Sequence, residues 1–379
     1  MPTADLTLFG TGSWGTALAV HLAQNDRRVL LWGRRPDAIA AMQRTRHNPA
    51  YLPNVALPDG VRLTTDLADA AAASDLWGLA VPSHALRSVT ERLAPHLTER
   101  TVPISLAKGI ENDSLQTMTQ VMRDVFPAHP ADRMGVLSGP SHAEEVAEAR
   151  PTTIVAAASS LDTAAQIQDA FMTPRLRVYT SVDVRGVELG GAAKNVLAIA
   201  AGISDGVGYG DNAKAALVTR GLAEMRRLGR ALGADLHTFA GLTGIGDLVV
   251  TCMSAHSRNR SLGERLGQGW TLDDALDDLQ MVAEGVRTTQ SLHDLAQQHP
   301  IEMPITEAVY AVLFEDASPH DMVDALMTRA PKHEHPLSKA RAETEADASA
   351  TPDASNASPG VSPDARDARP SLSSPTSGS

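Results

Sequence analysis

The sequence predicts an α/β protein: an N-terminal doubly wound sheet, then an all-helical C-terminal domain, then a disordered tail. Three observations along the 379 residues predict this fold class. Short apolar runs alternate with helical stretches in the first half. Helical apolar spacing without convincing strands follows, and the last segment is rich in Ala, Ser, Pro and Asp and has no aromatic residue. We therefore predict domains over residues 1–185 and 186–335 and a tail over residues 336–379.

The strands of the first domain are predicted from apolar runs that end at glycine, proline or polar residues. An Ala/Leu-rich helical stretch follows the first run, and Pro36 opens a helix after the second, where proline is tolerated. Strands that alternate with helices form βαβ units, which predicts a mostly parallel sheet covered on both faces. The predicted strands are Leu6–Phe9, Val29–Trp32, Leu76–Val81, Val102–Ala107, Met134–Leu137, Thr152–Ala158 and Leu176–Tyr179.

The second domain is predicted to be helical because apolar residues recur there at helical spacing between glycines. The tail cannot bury enough apolar surface to offset its ordering entropy, so we expect an inert, disordered acidic segment. The predicted helices are Glu188–Ile203, Lys214–Leu232, Ser261–Leu266, Thr288–Gln298, Thr306–Leu313 and Pro319–Thr328.

Composition and charge exclude several classes of protein. The net charge of −12 argues against a nucleic-acid partner, which would need a clustered basic surface. No apolar run approaches the ~18 residues of a membrane-spanning helix. The start, MPTADLTLFG, has no basic region or long apolar stretch for export. Cys252 is the only cysteine, which excludes an intrachain disulfide and a cysteine metal cage. We expect a cytoplasmic protein without a metal.

A glycine-rich turn follows the first predicted strand. Gly10-x-Gly12-x-x-Gly15 opens the first helix inside a βαβ-like unit, which is the context of a Rossmann-type dinucleotide site. The first glycine allows the tight turn, the second lets backbone N–H groups approach a pyrophosphate, and the third lets the helix pack closely on the strand. Ser13 and Trp14 at the tip would flank the phosphates. A turn of purely structural origin is the alternative, which the place after the first strand disfavours.

Two arginines at the end of the second predicted strand indicate the cofactor. An NAD site usually has Asp or Glu near this point for the ribose 2′-hydroxyl, whereas this chain has Arg34 and Arg35. Guanidinium groups suit a 2′-phosphate because they form charge-assisted bidentate contacts. A solvated basic pair is the alternative, although cations gain nothing from the dipole at a helix start. We predict NADP(H) as the preferred cofactor and leave NAD(H) open.

Two lysines stand where a small substrate would bind. Lys108 comes just past a buried strand, at the edge where ligands bind in open α/β sheets, and Gly139–Ala143 would add backbone donors at that edge. Lys194 lies in a helix of small and apolar residues, where burial would lower its pKa and allow proton exchange near neutrality. The alternative for each is a lysine whose ammonium reaches the surface. The neighbours of Lys194 disfavour that alternative, and for Lys108 both remain open.

Two further segments indicate acid–base chemistry and an anion site. Asp247 stands among glycines and apolar residues, which is a costly burial unless a partner such as Lys194 compensates it. Ser257 can cap the helix that follows, and that helix start makes an anion site with Arg258 and Asn259. An exposed basic turn is the alternative for the second segment.

Nine segments in order resemble bacterial NAD(P)-dependent glycerol-3-phosphate dehydrogenases, over about residues 5 to 330. That family interconverts dihydroxyacetone phosphate and sn-glycerol 3-phosphate and supplies the glycerol phosphate backbone of phospholipids. The resemblance implies this reaction, a small-molecule substrate and, as the family's assembly, a homodimer; the acidic tail is the one departure. The segments are GxGSWGTALA, LWGRR, VPSHALR, LAKGIE, LSGPSHAEEVA, GVELGGAAKNVLAIAAGISDG, GLTGIGDLVVTC, SRNRSLGERLGQG and VAEGVRTT.

The resemblance also implies residue roles. Lys194 would be the proton donor and acceptor, Asp247 would orient it and the substrate, and the charge of Lys108 would lower the pKa of Lys194 further. The residues that would hold substrate are Lys108, Gly139, Ser141, Lys194, Asp247, Ser257, Arg258 and Asn259. Those that would line the cofactor are Gly10, Gly12, Ser13, Trp14, Gly15, Arg34, Arg35, Tyr51, Lys108, Ala143, Arg258, Val282 and Glu284.

Two other functions are alternatives. A related two-domain dehydrogenase of β-hydroxy acids or sugar-acid phosphates would have the same architecture and a catalytic lysine. The combination of Asp247 with Ser257-Arg258-Asn259 disfavours it. A non-catalytic NADP(H) sensor could dispense with both Lys194 and Asp247, yet both stand in intact motifs.

Overall fold

The structure, a computed structural model, describes residues 3–279, 283–331 and 334. The described residues up to Thr328 belong to one compact unit. The domain boundary near residue 185 stays a prediction; it falls between the last strand and a long helix. The predicted tail, residues 336–379, lies outside the described residues.

One large sheet dominates the first half of the chain. The strands of the described residues are β1 (Leu6–Phe9), β2 (Val29–Trp32), β3 (His47–Asn48), β4 (Leu52–Ala56), β5 (Val61–Thr64), β6 (Leu76–Leu79), β7 (Val102–Ser105), β8 (Gly135–Ser138), β9 (Thr152–Ala158) and β10 (Leu176–Ser181). The order of the large sheet is β10-β9-β8-β7-β6-β1-β2-β5, and all neighbours are parallel except β8 and β9. This confirms the predicted mostly parallel sheet, with β9 and β10 reversed.

The strand order determines where a ligand can bind. The strands that follow β1 in the chain are first added on one side of it, as β2 and β5, and then on its other side, as β6 and β7. The order of the strands therefore switches sides at β1. The carboxyl ends of β1, β2, β6, β7 and β8 share one edge because these strands are parallel. In open α/β sheets, that edge beside the switch is where ligands bind.

Three short strands were not predicted. β3 and β4 form a separate antiparallel hairpin, and β5 is an edge strand of the large sheet. β4 has the sequence LPNVA and is mostly exposed, and β5 (VRLT) is buried only at its first residue. Neither strand has the continuous apolar run that is typical of a central parallel strand, so the pattern could not indicate them.

Helices surround the sheet and make up the second half. Every predicted helix is present, and no strand occurs in the described part of the chain after Ser181. The helices are α1 (Ser13–Ala23), α2 (Pro36–Thr45), α3 (Leu67–Ala73), α4 (Leu86–Leu93), α5 (Met118–Val125), α6 (Ala143–Ala147), α7 (Leu161–Phe171), α8 (Val184–Val207), α9 (Asp211–Ala231), α10 (Asp247–Met253), α11 (Arg258–Gly267), α12 (Leu272–Leu279), α13 (Glu284–Gln298), α14 (Pro304–Phe314) and α15 (Pro319–Met327).

Helix α8 is the axis of the helical half and is buried over most of its 24 residues. It packs very closely against α11 because small residues face each other. A Cβ added to Gly202 would lie 1.9 Å from the carbonyl oxygen of Arg260, and one added to Gly263 would lie 2.0 Å from that of Ile199. Any larger side chain would separate the two helices, so these glycines hold the start of α11 at a defined place on α8.

The apolar core has separate clusters for the sheet and the helices. One cluster surrounds α8 and includes Leu197, Leu248 and Leu262, and others cover the two faces of the sheet. Among the described residues, no helix combines the length and hydropathy that a membrane crossing requires.

Candidate active site

The glycine-rich turn joins β1 to α1 at the carboxyl edge of the sheet. Gly10 has φ +123°, and a Cβ there would lie 2.3 Å from the Ala80 carbonyl oxygen. A Cβ on Gly15 would lie 2.2 Å from the Gly10 oxygen, whereas nothing lies within 4 Å of one on Gly12. The first and third glycines are therefore required sterically, and the second leaves open space in front of the N-terminus of α1.

The β3–β4 hairpin is held against this turn. Ser13 Oγ donates to the Tyr51 carbonyl oxygen at 3.2 Å. Asn48 Nδ2 donates to the Thr11 oxygen at 2.9 Å and to Thr16 Oγ1 at 2.8 Å. These contacts bring Tyr51 beside Ser13, as the resemblance implies for two cofactor-lining residues. Sequence reasoning missed Asn48, because nothing in its local pattern indicates which turn it contacts.

Arg34 and Arg35 follow β2 at the same edge and are exposed. The end of β2 lies beside the glycine-rich turn, since Gly10 N donates to the Trp32 oxygen at 2.9 Å. Arg35 is the N-cap residue of α2, with Pro36 next to it, and its side chain makes no capping bond. Within residues 3–279, 283–331 and 334, no hydrogen bond or ion pair occupies either guanidinium group.

A buried cluster of charges lies where α8 meets the sheet. Lys194 Nζ donates to Asp247 Oδ1 at 2.6 Å and to Thr251 Oγ1 at 2.8 Å. Lys108 Nζ donates to the other carboxylate oxygen, Asp247 Oδ2, at 2.7 Å. Lys194 and Asp247 are both buried, and Lys108 is mostly so. The predicted pair of Lys194 and Asp247 is therefore present, with Lys108 as a third member.

The charges in this cluster shift each other's pKa. Burial lowers the pKa of the Lys194 ammonium to about 8; Asp247 opposes that shift, and the charge of Lys108 adds to it. Burial alone would raise the pKa of Asp247, but the two ammonium groups outweigh it and hold that pKa below its usual value. The cluster thus contains a stable carboxylate and an amine that can change its protonation near neutral pH.

Small residues bring Asp247 to Lys194. A π-helical turn, Leu242–Gly246, leads directly into α10. A Cβ on Gly190 of α8 would lie 2.4 Å from the Thr243 oxygen, so the turn lies directly on α8. Thr251 follows Asp247 by one helical turn and faces the same side. That i, i+4 spacing was the available signal for Thr251, which sequence reasoning missed.

The segment after β8 contributes backbone groups to the cluster. The Gly139 oxygen accepts hydrogen bonds from Lys108 Nζ at 2.8 Å and from Ser141 Oγ at 2.9 Å. Gly139 has φ +130°, a conformation in which a larger residue would be strained. Ala143 is the first residue of α6, so its backbone N–H has no partner within that helix.

The start of α11 is capped by Ser257, as predicted. Ser257 is the N-cap residue, and its Oγ accepts a hydrogen bond from Arg260 N at 3.2 Å. Arg258, the first residue of the helix, is exposed. Asn259 has an additional role that was not predicted: its Nδ2 donates to Asn195 Oδ1 and its Oδ1 accepts from Gly285 N, both at 3.0 Å. It therefore ties α11 to α8, one residue after Lys194, and to α13.

Glu284 joins the helical half to the sheet edge. Its carboxylate accepts hydrogen bonds from Ser83 N at 3.2 Å and from Ser83 Oγ. Ser83 begins the short helical turn after β6, so Glu284 lies beside the edge on which the glycine-rich turn stands. Val282, the other predicted cofactor residue on this segment, lies outside the described residues.

Comparisons with known proteins identify the family of this chain. Residues 5–164 match the N-terminal domain of NAD-dependent glycerol-3-phosphate dehydrogenase, and residues 183–324 match its C-terminal domain. Glycerol-3-phosphate dehydrogenase (NAD(P)+) 1 of Salinibacter ruber (strain DSM 13855 / M31) is 63% identical over 332 residues, 88% of this chain and 97% of the relative. The Bacillus subtilis (strain 168) enzyme is 47% identical over 329 residues, 87% of this chain and 95% of the relative.

A solved structure shares this fold over most of the chain. Glycerol-3-phosphate dehydrogenase from Coxiella burnetii aligns with a TM-score of 0.83 at 39% identity, over 86% of this chain and 99% of that one. Both family domains are thus present in order, together with the glycine-rich turn and the buried lysine–aspartate cluster. The chain belongs to the NAD-dependent glycerol-3-phosphate dehydrogenase family and is an oxidoreductase of that family.

Proposed function

We propose that this chain interconverts dihydroxyacetone phosphate and sn-glycerol 3-phosphate, with NADP(H) preferred over NAD(H). The observation that carries the proposal is the buried cluster of Lys194, Asp247 and Lys108 at the sheet edge that also bears the glycine-rich turn. A dinucleotide on that turn and a small ketone against Lys194 would be neighbours. The names of the relatives support the same reaction.

The residues of the turn fit a nicotinamide dinucleotide. The open space at Gly12 suits a pyrophosphate in front of α1, and Ser13 is already held in place through Tyr51. When bound, the cofactor supplies or accepts the hydride. The exposed guanidinium groups of Arg34 and Arg35 favour a 2′-phosphate at the end of β2, which is the basis for the NADP(H) preference.

Lys194 would move the proton. An ammonium group has three N–H donors, and Asp247 and Thr251 take two of those of Lys194. The third remains for the substrate oxygen at C2. In ketone reduction the ammonium protonates the developing alkoxide; in alcohol oxidation the neutral amine accepts the hydroxyl proton. A pKa of about 8 allows both states near neutral pH.

Asp247 and Lys108 would prepare the site for that step. The carboxylate holds both ammonium groups by separate oxygens, which fixes their positions relative to each other. Lys108 is held from a second side by the Gly139 oxygen. Its positive charge stabilises negative charge that develops on the substrate oxygen, in a buried place where electrostatic effects are strong.

The substrate phosphate would bind at the start of α11. The N-terminus of this 10-residue helix favours an anion, and Arg258 stands exposed in its first turn. The link between Asn259 and Asn195 keeps that helix start close to Lys194. A small phosphorylated ketone could then contact the helix start at one end and Lys194 at the other. Gly139, Ser141 and Ser257 complete the proposed substrate site.

Several finer statements belong to the same proposal. The product would enter glycerophospholipid synthesis, the protein would act in the cytoplasm, and the assembly would be a homodimer, as the family suggests. A β-hydroxy-acid or sugar-acid-phosphate dehydrogenase and a non-catalytic NADP(H) sensor remain the alternatives to be tested.

The first experiment follows the absorbance of NADPH, and separately of NADH, with purified protein and dihydroxyacetone phosphate. Rapid oxidation of the cofactor with dihydroxyacetone phosphate, but not with dihydroxyacetone, would establish the reaction and the need for the phosphate. The rates with NADPH and NADH would establish the cofactor preference. Absence of oxidation with either cofactor would contradict the proposal and favour the hydroxy-acid substrates. Tight NADPH binding without turnover on any small ketone would favour the sensor.

A further inference from the structure

Arg260, in the first turn of α11, connects the start of that helix to the far end of α8. Its Nη1 contacts Asp205 Oδ2 at 2.5 Å, and its Nε donates to the Ser254 oxygen at 3.2 Å. Its Nη2 also contacts Glu264 Oε2 at 3.2 Å. Asp205, near the end of α8, accepts in addition from Lys214 of α9 at 2.5 Å. One guanidinium group therefore joins α8, α11 and the loop before α11.

The backbone of Arg260 is held as firmly as its side chain. Its N–H donates to Ser257 Oγ, the N-cap of α11. Its carbonyl oxygen occupies the space that a Cβ on Gly202 would fill. The loop from Ser254 to Ser257 is thus bonded to Arg260 at both ends, by the side chain at Ser254 and by the backbone at Ser257.

These contacts set the distance between the two ends of the proposed substrate site. The start of α11 is tied to α8 at Asn195, through Asn259, and at Asp205, through Arg260. The two points lie ten residues apart on one rigid helix, about 15 Å along its axis. Lys194 is next to Asn195. If the contact at Asp205 is lost, the Ser254–Ser257 loop can move relative to Lys194. Misplacement by ~1 Å is enough to cost up to ~10²-fold in rate.

We propose that Arg260 is a positioning residue for the reaction. Paired with Asp205, it holds the Ser254–Ser257 loop, so that the phosphate-binding start of α11 stands at the right distance from Lys194. Arg260 acts through Ser254 and Ser257 and does not itself touch substrate. The inference rests on the proposed function, because it assumes that the phosphate binds at the start of α11.

Arginine is needed here for its geometry. A planar guanidinium donates in several fixed directions at once, whereas a lysine ammonium is a single point charge on a flexible stem. Arg260→Lys keeps the charge for Asp205 but cannot reach Ser254 and Glu264 at the same time. It should therefore recover only part of the function that Arg260→Gln loses.

Arg265 offers a matched control on the same helix. It pairs with Asp278 at 2.5 Å and donates to a backbone oxygen, that of Ser261, at 2.9 Å. It stands in the last turn of α11, away from the Ser254–Ser257 loop. Arg265→Gln therefore removes a comparable ion pair from α11 without releasing the loop.

The experiment measures KM and kcat for dihydroxyacetone phosphate and KM for NADPH in both variants. We expect Arg260→Gln to raise KM for dihydroxyacetone phosphate by ~10-fold, the loss of about one charge-assisted hydrogen bond. KM for NADPH should rise less than KM for dihydroxyacetone phosphate, because Arg258 is only one of the residues that would line the cofactor. Arg260→Lys should recover part of the loss, and Arg265→Gln should leave both constants near wild type. Asp205→Asn, which keeps the bond to Ser254, should give a smaller rise and serves if Arg260→Gln does not fold.

Other outcomes overturn the inference. An Arg260→Gln enzyme with the same KM for dihydroxyacetone phosphate as Arg265→Gln would remove the positioning role. Equal increases of both KM values would indicate a general structural effect instead. If the wild-type protein does not reduce dihydroxyacetone phosphate at all, the proposed function fails, and this inference fails with it.

Discussion

The proposed cofactor side of this site, at the glycine-rich turn, and the proposed proton-transfer side, at Lys194, are built from different kinds of structure. At the glycine-rich turn, the protein offers backbone groups, open space and exposed arginines at a sheet edge. At Lys194, it offers ionised side chains that are buried and paired. An open turn costs little free energy when its ligand is absent, because water can solvate its backbone groups. A buried charge is destabilising unless it has partners inside the protein at all times.

The comparison indicates how each side responds to substitution. On the proton-transfer side, one removed group leaves others unpaired in a low-dielectric place, so effects on kcat should be large. On the cofactor side, the side chains would contact mainly the bound dinucleotide. Substitutions there should therefore change mainly the affinity for the cofactor. Substitutions on the two sides can break or sharpen that contrast.

Lys194→Ala should lower kcat by ~10²-fold or more, as expected when a positioned general acid is removed. Asp247 keeps Lys108 as a partner in this variant, so the fold should be retained. Steady-state kinetics together with a melting curve would test this. Near-normal turnover in a folded variant would refute the role of Lys194.

Gly10→Ala and Gly12→Ala should behave differently although both lie in one turn. At Gly10 the φ of +123° and the Ala80 oxygen conflict with a Cβ, so the free energy of unfolding should fall by roughly 1–3 kcal/mol. At Gly12 a Cβ meets no atom within 4 Å, so stability should hold while the Kd for NADPH rises. Chemical denaturation and NADPH titration measure the two effects. Equal stabilities would contradict the steric assignment.

Arg34→Ala should raise KM for NADPH by ~10-fold or more, the loss of a charge-assisted hydrogen bond of about 1.5–3 kcal/mol. KM for NADH should change little, because NADH has no 2′-phosphate. Kinetics with both cofactors, with Arg44→Ala in α2 as the control, would measure it. Similar changes for both cofactors would exclude a 2′-phosphate contact.

The pH dependence should have opposite signs in the two directions. The pKa of Lys194 is lowered to about 8, so kcat for ketone reduction, which needs the ammonium, should fall as pH rises through that value. Alcohol oxidation needs the neutral amine and should rise over the same range. Lys108→Gln removes a neighbouring positive charge and should move both midpoints to higher pH. If the midpoints do not move in Lys108→Gln, the charge of Lys108 does not affect the pKa of Lys194.

Local patterns predicted those parts of the site whose physical reason is local. The tight turn at Gly10, the cap at Ser257 and the arginines after β2 each depend on a few neighbouring residues. The pair of Lys194 and Asp247 was also predictable, although 53 residues separate them. Both lie among small and apolar residues in the sequence, and a buried carboxylate needs a cation as its partner.

Other features depend on how the elements pack, which no local pattern contains. Lys108 reaches Asp247 across 139 residues and Glu284 reaches Ser83 across 201, because the starts of α10 and α13 lie against the carboxyl edge of the sheet. The reversed direction of β9 and the docking of the β3–β4 hairpin on the glycine-rich turn have the same origin.

By itself, the sequence determined the fold class, the two halves of the chain and the chemical types that the site must contain. Hydrophobic periodicity, turn residues and the apolar surroundings of a charged residue are all properties of residues close together in the sequence. They can therefore be deduced from the sequence alone. The tertiary structure decided which charges share Asp247 and how Arg260 joins α11 to α8. Those choices follow from close packing on α8, at Gly190 for the turn before Asp247 and at Gly202 and Gly263 for α11.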